Sequence, residues 1–264
     1  MFVTTFLTAA GAGIAAAEDP RREALDVTMS AEYSQGTFGT AHTTRILYAP
    51  LVTQWLPTED LELRLTVPYL WERGHTIFAL IGGGIAGTQR AGIHGTRDRA
   101  VTVEGLGDVL LEMQYTILDQ TAALPEIAPF AQIKAPTADS SRGLGTGAFD
   151  ETLGVEITKK IVNDWSASVE LGYTFVGSPP RQRFDDAFGW LVGVRYDVTK
   201  VLGVGAFLEG ATAVARHEDD PLEARVEVQY KVAKRLTIVG GAIAGFSNAS
   251  PAFGVTAGVQ YRFW

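Results

Sequence analysis

The chain contains no cysteine, which removes thiol nucleophiles, thiolate metal sites and disulfides together. It also lacks any run approaching the roughly 20 uninterrupted apolar residues that a membrane-spanning helix needs. A mean hydropathy of +0.09 taken alone would describe a water-soluble protein. Histidine occurs only at His42, His75, His94 and His217, all read as lying in loops or at strand ends, and no Gly-x-Ser-x-Gly segment is present. No nucleophile, base and orienting group are therefore evident in one constellation, and hydrolase chemistry is unsupported. The glycine-rich residues 81–87 are not followed by Lys-Ser/Thr and stand in no strand-to-helix context, so they are not a phosphate loop. They read instead as an extracellular loop that folds over the barrel or extends a hairpin beyond it. No cofactor is implied, and a net charge of -8 gives no footing for a nucleic-acid partner.

What the chain does have is alternation. In residues 253–264, Phe253, Val255, Ala257, Val259, Tyr261 and Phe263 alternate with Gly254, Thr256, Gly258, Gln260 and Arg262. A strand with one apolar face and one small or polar face suits lipid on one side and a hydrated lumen on the other. Lipid cannot satisfy an open sheet edge, so such a strand belongs to a closed barrel. The ending is similar to the C-terminal signal through which the barrel assembly machinery recognises Gram-negative outer-membrane barrels, with Trp264 one residue beyond the usual terminal aromatic.

The same period recurs along the chain, clearest over 61–71, 109–117, 165–175 and 222–230. About twelve strands are predicted. Aromatics near the strand ends, among them Trp55, Tyr69, Trp165, Tyr173, Phe188, Tyr230 and Tyr261, fit girdles at two membrane interfaces. Predicted connections alternate between short (57–60, 119–126, 162–164, 197–200, 232–235) and longer (35–41, 73–105, 135–150, 177–186, 212–221 and the briefer 247–251), as in outer-membrane barrels. The fold expected is an all-β, up-and-down antiparallel transmembrane β-barrel with both termini periplasmic. Residues 1–17, apolar and ending in Ala15-Ala16-Ala17, read as a cleaved signal peptide without the usual basic start; residues 18–264 form the barrel.

Alternation also assigns the lumen. Glu32, Glu62, Glu112, Glu156, Glu170, Glu209, Glu223 and Glu227 face inward with Arg64, Lys134, Arg195, Arg225, Lys231 and Arg262, because charges cannot face lipid. Such a mixture could line a path or plug it. Small lumen residues, including Gly172, Gly189, Gly193, Gly203, Gly205, Gly254 and Gly258, argue for free space, or for relief where the sheet coils.

A second group of residues carries a resemblance. Gly105-Leu-Gly107-Asp108 opens a strand, Lys134-Ala-Pro136-Thr137 precedes Gly143-Leu-Gly145-Thr-Gly147, Asp150 follows, and 61–69 ends in Val-Pro-Tyr. In these motifs the chain resembles the MetA-pathway of phenol degradation family of Gram-negative outer-membrane proteins, over most of its length. The family usually has glycine where this chain has Ala138. The resemblance implies an outer-membrane location and passage of small molecules, with aromatic or hydrophobic compounds among the candidates.

The motif residues have physical readings of their own. Gly105 and Gly107 suit a bulge at the rim, and Gly143, Gly145 and Gly147 suit positive φ in a loop. Asp108, Asp139 and Asp150 either cap turns or, if brought together, bind Ca²⁺, although no EF-hand spacing is present. Arg90, Arg97 and Arg99 could meet carboxylates at the barrel mouth or lipopolysaccharide phosphates. The function expected is a passive channel for a small-molecule solute, with outer-membrane lipid and lipopolysaccharide as surroundings. Its selectivity would be set by the lumen charges and the 73–105 loop. The alternatives are a plugged barrel serving as sheath or scaffold, and a lipid-modifying enzyme.

Overall fold

The computed structural model describes residues 24–80, 90–94, 98–162, 164–179, 182–215 and 218–264. The proposed signal peptide, the glycine-rich residues 81–87, Arg97 and His217 lie outside them. Fifteen strands follow in chain order: β1 (Ala24–Gly36), β2 (Thr44–Leu56), β3 (Leu61–Gly74), β4 (Ile77–Leu80), β5 (Arg90–His94), β6 (Val101–Leu106), β7 (Val109–Tyr115), β8 (Glu126–Ala135), β9 (Asp150–Val162), β10 (Trp165–Val176), β11 (Ala187–Asp197), β12 (Leu202–Ala211), β13 (Leu222–Ala233), β14 (Leu236–Gly245) and β15 (Phe253–Arg262).

Every wall strand pairs antiparallel with its neighbours, and β1 pairs with both β2 and β15. The sheet therefore closes on itself and has no edge to satisfy. Strands β6 and β7 both pair with β3, Tyr69 opposite Leu106 and Thr66 opposite Leu110. They are two halves of one wall position, which makes the barrel twelve-stranded. A separate hairpin, β4–β5, rises from the connection between β3 and β6.

Two sequence expectations change here. The 73–105 connection is not all loop, because β6 within it is wall, paired to β3 beyond the level where β8 stops. The strand expected to run to Ile117 ends at Tyr115, after which the chain keeps contact with its neighbours through single bonds such as Thr116 N–H to the Asp60 carbonyl at 2.8 Å.

The outer face is apolar and exposed, with Met29 68% accessible and Leu111, Leu153, Val226 and Val255 similar in kind. Exposed Trp55, Tyr115, Trp165, Tyr230 and Tyr261 sit at the end that carries the termini. Tyr69, Tyr173, Phe188 and Phe253 sit at the opposite end. On β10, Trp165 and Tyr173 are separated by a rise of roughly 26 Å along the strand, which suits an apolar band about 25 Å tall. Connections at the terminus end are shorter than those at the other, except that the link between β7 and β8 is longer than the β1–β2 and β14–β15 loops.

Candidate functional site

The inward positions form a lumen that is charged in its middle and apolar at the loop end. Five connections between wall strands supply the apolar part. Ile77, only 1% accessible, and Leu144 pack with Tyr48, Leu70 and Val103; Phe78 packs with Phe38 and Ile46; Phe184 and Val214 pack with Val176 and Ala187. The Phe78 amide donates to a Glu72 carboxylate oxygen at 2.9 Å, which ties β4 to the wall. The loop end is thus stoppered by side chains from several connections.

Below the stopper the family motifs converge on one cation. The Lys134 ammonium lies 2.9 Å from Asp108 Oδ2, 3.1 Å from Asp150 Oδ2 and 2.9 Å from Thr146 Oγ1, with its side chain almost wholly buried. Asp108 also accepts the Ala138 amide at 3.0 Å, and Asp150 accepts the Gly177 amide at 2.9 Å. Thr137 bridges the break between β6 and β7: its hydroxyl accepts the Val109 amide at 2.9 Å and donates to the Gly107 carbonyl at 3.3 Å. Pro136 precedes it at the end of β8.

Gly105, at φ +151°, makes the bend. The Gly107 amide donates to the Pro68 carbonyl at 2.9 Å. Of the loop glycines, Gly143 and Gly147 have positive φ, but Gly145 does not. It is glycine because a Cβ there would stand 2.6 Å from Asp108 Oδ2. Ala138 in place of the family's glycine is harmless, since its role is carried by its amide and its φ is not positive.

Of the two readings of these aspartates, capping or a Ca²⁺ site, the geometry favours the first. Asp108 and Asp150 meet around an ammonium, whereas Asp139 stays in the exposed loop and accepts the Ser141 hydroxyl at 2.6 Å. That hydroxyl, with the Ser141 and Arg142 amides and the Arg142 charge, holds the Asp139 carboxyl below the usual carboxylate range.

Two guanidinium groups organise the middle of the lumen. Arg64 bonds Glu112 at 2.5 Å and also Glu62; Glu112 accepts from Gln132 at 2.7 Å, and Glu156 from Gln114 at 2.8 Å. Across the barrel, Arg225 bonds Glu209 at 2.9 Å and approaches Glu32 at 3.8 Å. Glu223 stands directly opposite Glu209 on the next strand. Glu170 is also buried, between Glu156 on one neighbouring strand and Leu191 on the other.

Nearer the terminus end, Arg195 bonds Gln229 and Asp197 at 3.0 and 3.2 Å, and Gln229 donates to Glu227 at 2.6 Å. Arg262 holds Asp26 with two bonds of 2.8 and 2.7 Å. Lys231 lies on the inward face near its strand end, half-exposed. Asp26 and Gln132 were not singled out from the sequence, although strand parity already placed them inside; the alternation over 222–230 puts Gln229 on the lumen face, and Asp197 belongs to the expected 197–200 turn.

The expectation that small residues leave free space fails at Gly193 and Gly205, where an aromatic ring occupies the room, and a ring also covers Gly154, a glycine outside the set expected to leave space. A Cβ on Gly193 would lie 2.0 Å from Phe207 Cδ1 and one on Gly205 2.6 Å from Phe207 Cε2, while Gly154 is covered by Phe130, 2.3 Å from such an atom. Rings lying over glycines let a strongly coiled sheet stay packed. Arg195 fills the space over Gly203 in the same way. Elsewhere, His42 and His75 stack at 4.1 Å in the loops, away from the lumen charges.

Solved structures share this architecture. An outer membrane channel from Pseudomonas putida F1 superposes with a TM-score of 0.68 at 13% identity, over 93% of this chain and 98% of that one. The translocator domain of the autotransporter NalP from Neisseria meningitidis gives 0.57 at 9% identity over 98% and 95%, and the KdgM porin 0.54 at 11% over 90% and 99%. The likeness is one of fold, an outer-membrane β-barrel. No curated protein matches the sequence. The family model described as Putative MetA-pathway of phenol degradation matches residues 23–263, and the chain belongs to that family.

Proposed function

We propose that the protein is a passive outer-membrane channel for small molecules, with both termini periplasmic and the longer loops facing outward. One observation carries the reading: the wall is apolar outside, while inside it bears ordered, mixed charges through its middle. Lining a barrel with buried charge costs stability, and a barrel that only spanned the membrane could be filled with apolar side chains. Movement is passive in this reading, with solutes following their gradients; among the described residues the chain is all strand and connection.

In the conformation described, the stopper of Ile77, Phe78, Leu144, Phe184 and Val214 closes the loop end, and passage requires it to shift. Selectivity lies with the carboxylate-rich lumen and with the β4–β5 hairpin. The related channel and porin support this reading through fold. The family's name makes small aromatic compounds reasonable solutes to test, and the Phe130 and Phe207 rings offer them apolar contact. The outer surface meets lipid and lipopolysaccharide, and β15, ending in Phe263 and Trp264, is the segment offered to the barrel assembly machinery.

A second reading, a permanently plugged barrel that acts as a scaffold, is favoured by the deep burial of the lumen side chains. Planar-bilayer recordings decide between them. The mature chain should show single-channel steps. A variant with residues 77–94 replaced by a short Gly-Ser linker should conduct more, because the replacement removes two stopper residues, Ile77 and Phe78. Silence in both folded forms would exclude an ion-conducting pore gated by this hairpin and favour the scaffold.

A further inference from the structure

The two arginines leave part of the acidic lumen unneutralised. Along one register row the inward positions of four successive strands read Glu170 on β10, Leu191 on β11, Glu209 on β12 and Glu223 on β13, and Glu156 on β9 stands directly opposite Glu170. Carboxylates facing each other across neighbouring strands repel. Arg225 bonds only one oxygen of Glu209; the other, Oε2, is buried without a hydrogen-bond partner. Glu170 goes further. It is 3% accessible and makes no hydrogen bond or ion pair among the described residues. The charges acting on it are mostly of its own sign, from Glu156, Glu112 and Glu209, with Arg64 the single opposing one.

A bare carboxylate so placed is costly. Two open acceptors, Glu170 and Glu209 Oε2, flank Leu191 on alternate strands, about two strand spacings or roughly 10 Å apart at Cα. Their side chains can lean over the apolar residue between them. We infer that this arc binds a small monovalent cation, alkali metal or primary ammonium in class, held between Glu170 and Glu209, and that it makes the lumen cation-selective. Among the described residues no three acidic or histidine groups converge closely enough to chelate a metal ion.

The inference names the solute charge for the channel reading and rests on it for its functional meaning, but the site can be tested without conduction. Crystals of the mature barrel grown with rubidium chloride should show anomalous density between Glu170 and Glu209, and Glu170→Gln, nearly isosteric, should abolish it. In bilayers under a KCl gradient, the same substitution should lower the potassium-to-chloride permeability ratio by at least about tenfold, the effect that one unit charge has on an ion roughly 12 Å away at an effective dielectric near 20 and a lower bound for one held closer.

A well-ordered wild-type barrel without rubidium density at the arc would overturn the proposal. So would density and permeability ratio both unchanged in Glu170→Gln, which would mean that Glu170 is simply protonated. Rubidium density in a barrel that never conducts would support the site and remove the channel reading. Conductance without density would do the reverse.

Discussion

Lys134 is the residue whose loss the barrel should feel most. Its ammonium is shared by Asp108 and Asp150, and both carboxylates are buried and already committed to backbone amides of the 136–149 loop and of the link after β10. Lys134→Met keeps the length of the side chain and removes the charge, so two carboxylates remain face to face without their common cation. Breaking a buried ion pair from one side costs about 3–5 kcal/mol. The triple variant Lys134→Met, Asp108→Asn, Asp150→Asn removes the charges together and should recover most of that loss, because the amides can still donate to the asparagine carbonyls. Urea unfolding of the barrel refolded into lipid vesicles, followed by tryptophan fluorescence, measures both. Hydrogen exchange over 138–148 should rise in the single variant and return toward wild type in the triple one. A cost below about 1 kcal/mol for Lys134→Met, the range of an exposed pair, would refute the reasoning, for it would mean that water already solvates the two carboxylates.

Gly193→Val drives a side chain into the Phe207 ring, whose Cδ1 would lie 2.0 Å from the new Cβ. Overpacking of this kind costs about 1–3 kcal/mol, and the folded, heat-modifiable band on a gel should weaken; adding Phe207→Ala should restore it, and failure to do so would dissociate ring from glycine. At the exposed loop, Asp139 should titrate below the ordinary carboxylate range by NMR, and Ser141→Ala, which removes its largest cause, should bring it back up. Because the folded value is depressed, protection of the Ser141 amide, which donates to the Asp139 carboxylate at 3.0 Å, is fully present above the ordinary value and is lost as pH falls through the depressed one; an Asp139 that titrates normally would contradict the hydrogen-bond geometry.

Strand parity made much of this legible in advance. Each inward Glu and Arg singled out from the sequence lies on the inward face, since a slip of one residue would turn the whole set toward lipid. Parity states a side and not a partner. That Lys134 would meet Asp108 and Asp150, or that Arg225 would reach Glu32 across the lumen, depends on shear and on loop paths that local periodicity does not encode. Phe207 shares its parity with Glu209 and was legible as inward, but its lying over two glycines was not, so those glycines looked like space. Strand β6 was hidden because it follows a long connection and pairs on one side only, with β3. Ile77 and Leu144 enter the lumen from loops, where no two-residue pattern marks them.

The direct pairing of β1 with β15 sets Asp26 opposite Arg262 and Gln35 opposite Phe253, so strands more than 200 residues apart in sequence are neighbours. In the finished wall the position of the chain break is nearly arbitrary, and a permuted chain joined at this seam would present the same cylinder. During synthesis the order is decisive. Until the final strand exists, β1 and β14 are both raw edges, each a row of backbone donors and acceptors that lipid cannot answer. Such a chain cannot insert strand by strand as a helical protein can. It has to be kept apart from the bilayer, and from other copies of its own open edge, until β15 has arrived to close the ring.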